Sequence, residues 1–187
     1  GCYKIQIEPK NVVDLIKLYF VFDNINLKKS RLRKCMIEMR PDIPGLYKGL
    51  IYCSSLQDVE ETKEIIVPIL KNTINNKIKI FIKRGCSEFS QKYPEFSEFK
   101  DNKKIMKYPS EWKDTENKTD EILPKKNYSS ERVLPKTIKG QTLNDILIIS
   151  NWICYARAIK DYSYKGVIDE FNESIFISKK IQSQKRR

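Results

Sequence analysis

At 187 residues the chain has room for one domain with an extension, or for one domain and a small second unit. Its 36 Lys and Arg against 24 Asp and Glu give a net charge of +12, which favours nucleic acid or another polyanion as partner and speaks against an acidic interaction protein. No uninterrupted apolar run of about 18 residues occurs, so no membrane span is expected; five scattered cysteines, no CxxC pair and no histidine argue against a zinc site and a disulfide framework.

Tyr3, Ile5 and Ile7 alternate with Lys4, Gln6 and Glu8, the period of a half-buried strand, and Pro9 stops it. Asn11 is placed to cap a helix whose apolar face is Val12, Val13, Leu15, Ile16, Leu18, Tyr19 and Phe22. Residues 28–34, KKSRLRK, then carry five basic side chains in seven positions. Cys35, Ile37 and Met39 alternate with Lys34, Met36, Glu38 and Arg40 in a second strand near 33–40, and Pro41-Asp42-Ile43-Pro44-Gly45 is turn chemistry.

The stretch from Tyr47 to Glu88 organises the rest. It reads as a strand near 48–53, a helix opened by the hydroxyls of Ser54 and Ser55, and a strand near 78–83 in which Ile78, Ile80 and Ile82 alternate with Lys79, Phe81 and Lys83. Pro68 falls inside that helix and is expected to kink or divide it. The order β-α-β-β-α-β predicts an α+β ferredoxin-like core over residues 1–86, with both helices on one sheet face and the other face open to solvent or a partner.

Residues 87–140 change character, rich in Lys, Glu, Ser, Pro and aromatics. Phe89, Tyr93, Phe96 and Phe99 have a rough helical spacing, Tyr108 and Trp112 look like anchors of an irregular wrapping segment, and 113–139 reads as a flexible linker. Residues 141–187 return to order as a pair of C-terminal helices. Thr142 with Asp145 approximates a capping box for a helix apolar on most sides and therefore expected to be buried. A second helix starts near Tyr164 and ends in a basic, fraying tail with Lys179, Lys180, Lys185, Arg186 and Arg187.

Lys48-Gly49-Leu50-Ile51-Tyr52-Cys53 falls on the third strand of this order. In element order and in this segment the first 86 residues resemble the RNA recognition motif, whose third strand carries a K/R-G-F/Y-G/A-F-V pattern. Lys48 and Gly49 match, and Tyr52 matches the second stacking aromatic in type; Leu50 stands for the first aromatic, and Gln6 on strand one for the third. The resemblance implies a sheet face that binds RNA, with base stacking on Tyr52.

Candidate phosphate contacts are Lys28, Lys29, Arg31, Arg33 and Lys34 beside strand two, with Arg40, Lys48, Lys79 and Lys83 along the sheet face. These point to an RNA-associated protein or ribonucleoprotein component that acts without a cofactor. Lys, Ile, Asn and Tyr are also what AT-rich codons supply, so a solvated basic surface explains the same residues. Two other classes stay open. Cys86, in Lys83-Arg84-Gly85-Cys86-Ser87-Glu88, has cationic neighbours that favour a thiolate, and Cys53 precedes a helix N-terminus; an enzyme would use Cys86 or a pocket on the open face, but without the histidine that usually serves as thiol base. Alternatively, residues 87–140 wrap a protein partner, leaving Tyr93, Phe96 and Trp112 exposed until it binds. Free thiols and the absence of a signal-peptide pattern fit a reducing intracellular compartment.

Overall fold

The computed structural model describes residues 3–27, 32–94, 109–122 and 141–185, without the side chains of 87, 89 and 168–177. The architecture is mixed α and β. Strands β1 (Tyr3–Glu8), β2 (Arg33–Ile37), β3 (Tyr47–Cys53) and β4 (Lys79–Arg84) form one sheet in the order β2-β3-β1-β4, antiparallel at each pairing. Helices α1 (Val12–Asn24) and α2 (Leu56–Thr73) pack against one of its faces.

The period-2 pattern decides which side chains meet those helices. Ile5, Ile7 and Ile51 are fully buried with Leu18, Val59, Ile66 and Leu70, and Ile80 and Ile82 pack on the same cluster. Fully burying an aliphatic side chain contributes about 1.5–3 kcal/mol, so this layer holds the sheet to its helices. Gly49 belongs to it for a steric reason: a Cβ there would lie 2.4 Å from Leu18 Cδ2 and 3.2 Å from Phe22 Cζ. The residue that matches the RNA-motif pattern is needed here to let α1 approach β3.

Both helices start as their sequences dictate. Asn11 accepts from the Asp14 amide at 2.9 Å, and Ser55 from the Asp58 amide at 3.2 Å. At the other end of α1 the last turn has no basic residue; Arg33 on β2 donates its guanidinium to the Phe22 carbonyl instead. Pro68 does not divide α2, which runs as one helix. The ring is exposed on the outer side, where the carbonyl that loses its amide partner faces solvent.

Among the described residues four further helices follow: α3 (Ser87–Lys92), α4 (Ser110–Ile122), α5 (Leu143–Ala158) and α6 (Lys165–Lys185), with a 3-10 turn at Tyr162–Tyr164. The expected linker is thus helical over its first part, since α4 covers 113–122 with every residue exposed; 123–139 lies outside the described residues. The tail is helical to Lys185 and exposed from Ser178, with Arg186 and Arg187 outside the described residues. Among the described residues no helix is long and apolar enough to cross a membrane.

The capping box of α5 is complete: Thr142 and Asp145 exchange hydrogen bonds of 2.7 to 3.1 Å. Contrary to expectation the helix is not buried. Leu143, Ile146 and Leu147 are exposed, and only one edge, with Ala156, Trp152 and Ile153, packs on Val12, Leu15 and Tyr47. A helix apolar on most sides thus meets the core through one side, where α1, β3 and the 3-10 turn are its neighbours. At its C-terminus Lys160 takes a left-handed conformation, φ 62°, and the Asp161 amide reaches back to the Ala156 carbonyl at 2.9 Å. That turn delivers Asp161 to α1. Its Oδ2 accepts from the Val12 amide and from the buried Tyr47 hydroxyl, both at 2.7 Å, and Oδ1 accepts from the Ser163 amide at 3.0 Å.

Candidate nucleic-acid interface

On the sheet face away from α1 and α2, the registers place side chains in rows. Lys83, Lys4 and Tyr52 form one row across β4, β1 and β3; Phe81, Gln6, Leu50 and Lys34 form the next, reaching β2. Lys79 stands opposite Glu8, and Met36 opposite Lys48. Gly85 has φ 71°, a backbone turn suited to glycine, and it bends the chain off β4 into α3, so that Cys86 and Glu88 join the rim. A depression of about 360 Å³ results, lined by Lys4, Lys34, Arg40, Lys48, Tyr52 and Cys86 together with Gln6, Met36, Glu38, Leu50 and Glu88. Residues as far apart in the sequence as Lys4 and Glu88 thereby share one site.

The floor of the depression is an ion-pair network centred on Glu38. Arg40 grips this carboxylate at 2.7 Å (Nε to Oε1) and 2.8 Å (Nη2 to Oε2), a fork geometry, and also reaches Glu88. Lys48 Nζ lies 3.3 Å from Glu38 Oε2, and both of these side chains are 3% exposed. The Arg40 hydrogen bonds, followed by its backbone amide and Lys48, outweigh burial and hold the Glu38 carboxyl at about 2, against an ordinary 4.5. Strand two was expected to continue through Arg40; it stops at Ile37, after which the Glu38 amide still donates to the Leu46 carbonyl at 2.7 Å while the Arg40 amide turns back to the Glu38 carboxylate.

The candidate residues therefore divide. Lys34 and Lys79 are exposed and Lys83 and Tyr52 half-buried on the face. Lys48 is buried and paired, and Arg40 is committed to two carboxylates, so neither is presented as a simple phosphate contact. Arg33 points the other way, to α1, for the reason given above. Lys28, Lys29 and Arg31 lie outside the described residues. The Lys83 ammonium is held below its ordinary value by burial, then by repulsion from Lys48 and Lys4, a sign that cations crowd this face. Two members escaped sequence reasoning: Lys4, which is buried at 5% exposed, and Phe81, 43% exposed. The alternation with Lys79 and Lys83 was the signal for Phe81.

Comparison with known proteins adds no relative. No family model, curated protein or solved structure matches this chain. Its chemistry has to be argued from the site alone.

Of the thiols, Cys86 is exposed on the rim, whereas Cys53 lies in the core cluster rather than at an anion site before α2. Burial, with Asp23 adding to it, pushes the Cys35 thiol up to about 12. Cys53 and Cys86 stand on β3 and after β4, strands separated by β1. Among the described residues no group of three or more His, Cys, Asp or Glu side chains is placed to hold a metal ion. Of the aromatics expected to await a protein partner, Trp112 is 54% exposed, Tyr93 is half-buried, and Phe96 lies outside the described residues, as do Phe99 and Tyr108 of the same segment.

Proposed function

We propose that this chain is a basic RNA-associated protein, built on a ferredoxin-like core, that holds single-stranded RNA against the sheet face opposite α1 and α2. The antiparallel β2-β3-β1-β4 sheet with α1 and α2 on one side supports the core assignment. The observation that carries the binding reading is the row of Lys83, Lys4 and Tyr52 on the sheet face opposite α1 and α2, with Lys34 in the next row and Lys79 further along β4. Phosphates neutralise the crowded ammonium groups and a base stacks on the Tyr52 ring. The Glu38 network fixes the floor, so the face is shaped before a ligand arrives.

The reading is tested by fluorescence anisotropy on a short single-stranded RNA across a salt series. Single strands lose about 0.7 in logarithmic slope per phosphate neutralised. Replacing Lys34, Lys79 and Lys83 together with Ala flattens the slope by about 2, and Tyr52→Ala weakens binding by about 1–3 kcal/mol. Absence of binding by the wild type at low salt overturns the reading.

A second reading uses the same depression. Cys86 lies on its rim with Arg40 and Glu88, an arrangement for thiol chemistry on a small bound molecule. Unchanged RNA binding in Cys86→Ser alongside loss of a thiol-dependent turnover would favour it.

A further inference from the structure

Phe81 is the large apolar side chain left 43% exposed on the sheet itself. It sits in the middle of β4, an edge strand, with Ile80 and Ile82 turned to the core and Lys79 and Lys83 on its own face two residues to either side. Edge strands are commonly guarded by lysine, whose charge discourages pairing with another chain. Lys79 and Lys83 meet that need; a phenyl ring between them adds apolar surface and no guard. A ring flanked by two ammonium groups at strand spacing is instead the arrangement that receives a base with its neighbouring phosphates.

The register sets the distance to Tyr52. Phe81 pairs with Gln6 on β1, which pairs with Leu50 on β3, and Tyr52 is two residues further along. Two inter-strand steps and a two-residue offset put the Cα atoms that carry the rings about 12 Å apart. Bases that remain stacked on each other lie about 3.4 Å apart along a strand, so the two rings cannot hold stacked neighbours. They suit bases splayed from one another, which single strands offer and duplexes do not.

We propose that Phe81 is a second base-stacking platform, on the edge strand, and that with Tyr52 it makes this face selective for single-stranded RNA over duplex. The inference rests on the RNA-binding reading of the same face. Lys79 and Lys83 take the phosphates on either side of the Phe81 base, and β1, with Lys4 and Gln6, lies between the two rings.

The test compares full-length wild type, Phe81→Ala and Phe81→Tyr by anisotropy on a short oligouridine and on an RNA duplex, over the same salt range. Phe81→Ala is expected to bind the single strand about tenfold or more weakly, the scale of one base–aromatic stack. The salt slope should not change, because no charge is removed, and Phe81→Tyr, which keeps the ring, should stay within about twofold of wild type. Phe81 is surface-exposed, and circular dichroism confirms that each variant is folded. Wild-type affinity in Phe81→Ala overturns the inference while leaving the Tyr52 and lysine reading intact, provided the wild type binds with a steep salt slope. Equal loss on the duplex overturns the selectivity. Failure of the wild type to bind single-stranded RNA overturns both.

Discussion

Asp161 joins the C-terminal helices to the sheet domain, and its removal has a cost that follows from its partners. In Asp161→Ala the Tyr47 hydroxyl, on a residue 2% exposed, and the Val12 amide, on a fully buried residue, both lose their 2.7 Å acceptor. Orphaning a buried polar group costs about 1–3 kcal/mol. Because the two donors share one oxygen their losses do not simply add, and we expect about 3–5 kcal/mol in all. Ser163 is half-buried, and water can replace its bond. Most domains have only about 5–15 kcal/mol to lose. Asp161→Asn keeps one acceptor oxygen and should lose roughly half as much. The dependence on pH has a definite sign. Burial works to raise the Asp161 carboxyl, but hydrogen bonds from Ser163, Tyr47 and Val12 outweigh it and hold it below its ordinary 3.8. A depressed carboxyl stabilises above the unfolded value and loses that contribution as pH falls below it. Urea denaturation followed by circular dichroism, at neutral pH and below pH 4, measures both effects. An Asp161→Ala variant within about 0.5 kcal/mol of wild type at neutral pH, the range of an ordinary surface change, would refute the argument.

Three further outcomes are expected. Glu38→Ala leaves Lys48 as a buried charge without this carboxylate and should destabilise by about 3–5 kcal/mol. In the wild type that contribution is complete above about pH 4.5 and disappears as pH falls toward 2, so the difference between the two proteins in urea titrations should shrink in acid. Gly49→Val drives a side chain into Leu18 and Phe22 and should cost at least about 1–3 kcal/mol by thermal melting, as overpacking does; an unchanged midpoint would show that α1 can yield. Alkylation at pH 8 should label Cys86 and Cys154, which are exposed, well before Cys35 and Cys53, as peptide mass mapping would show.

The core was legible because it follows local rules. Alternation on Ile5 and Ile7 and on Ile78 to Ile82, and the apolar run Leu50 to Cys53, gave three strands close to their observed limits, with the second running three residues too long, and Asn11, Ser55 and Thr142 capped the helices that their side chains announced. What was not legible depends on contacts between distant residues. Nothing in the local sequence tells that Asp161 reaches Val12, or that the Glu38 carboxylate binds Arg40 and Lys48. The same limit explains α5: its apolar residues announced a buried helix, whereas burial depends on how many neighbours the fold provides. The basic candidates show it too, since charge is visible in sequence but pairing is not. Arg33, Arg40 and Lys48 turned out to be engaged, while Lys34, Lys79 and Lys83 stand on the face that was expected to be open.

The central claim is that RNA lies on this sheet face. Ultraviolet crosslinking of the full chain to a single-stranded RNA, with the crosslinked peptides identified by mass spectrometry, addresses it without mutation. The account predicts crosslinks on the peptides that carry Tyr52 and Phe81, lost at high salt. Crosslinks confined to α5 and α6, with none on β3 or β4, would contradict it.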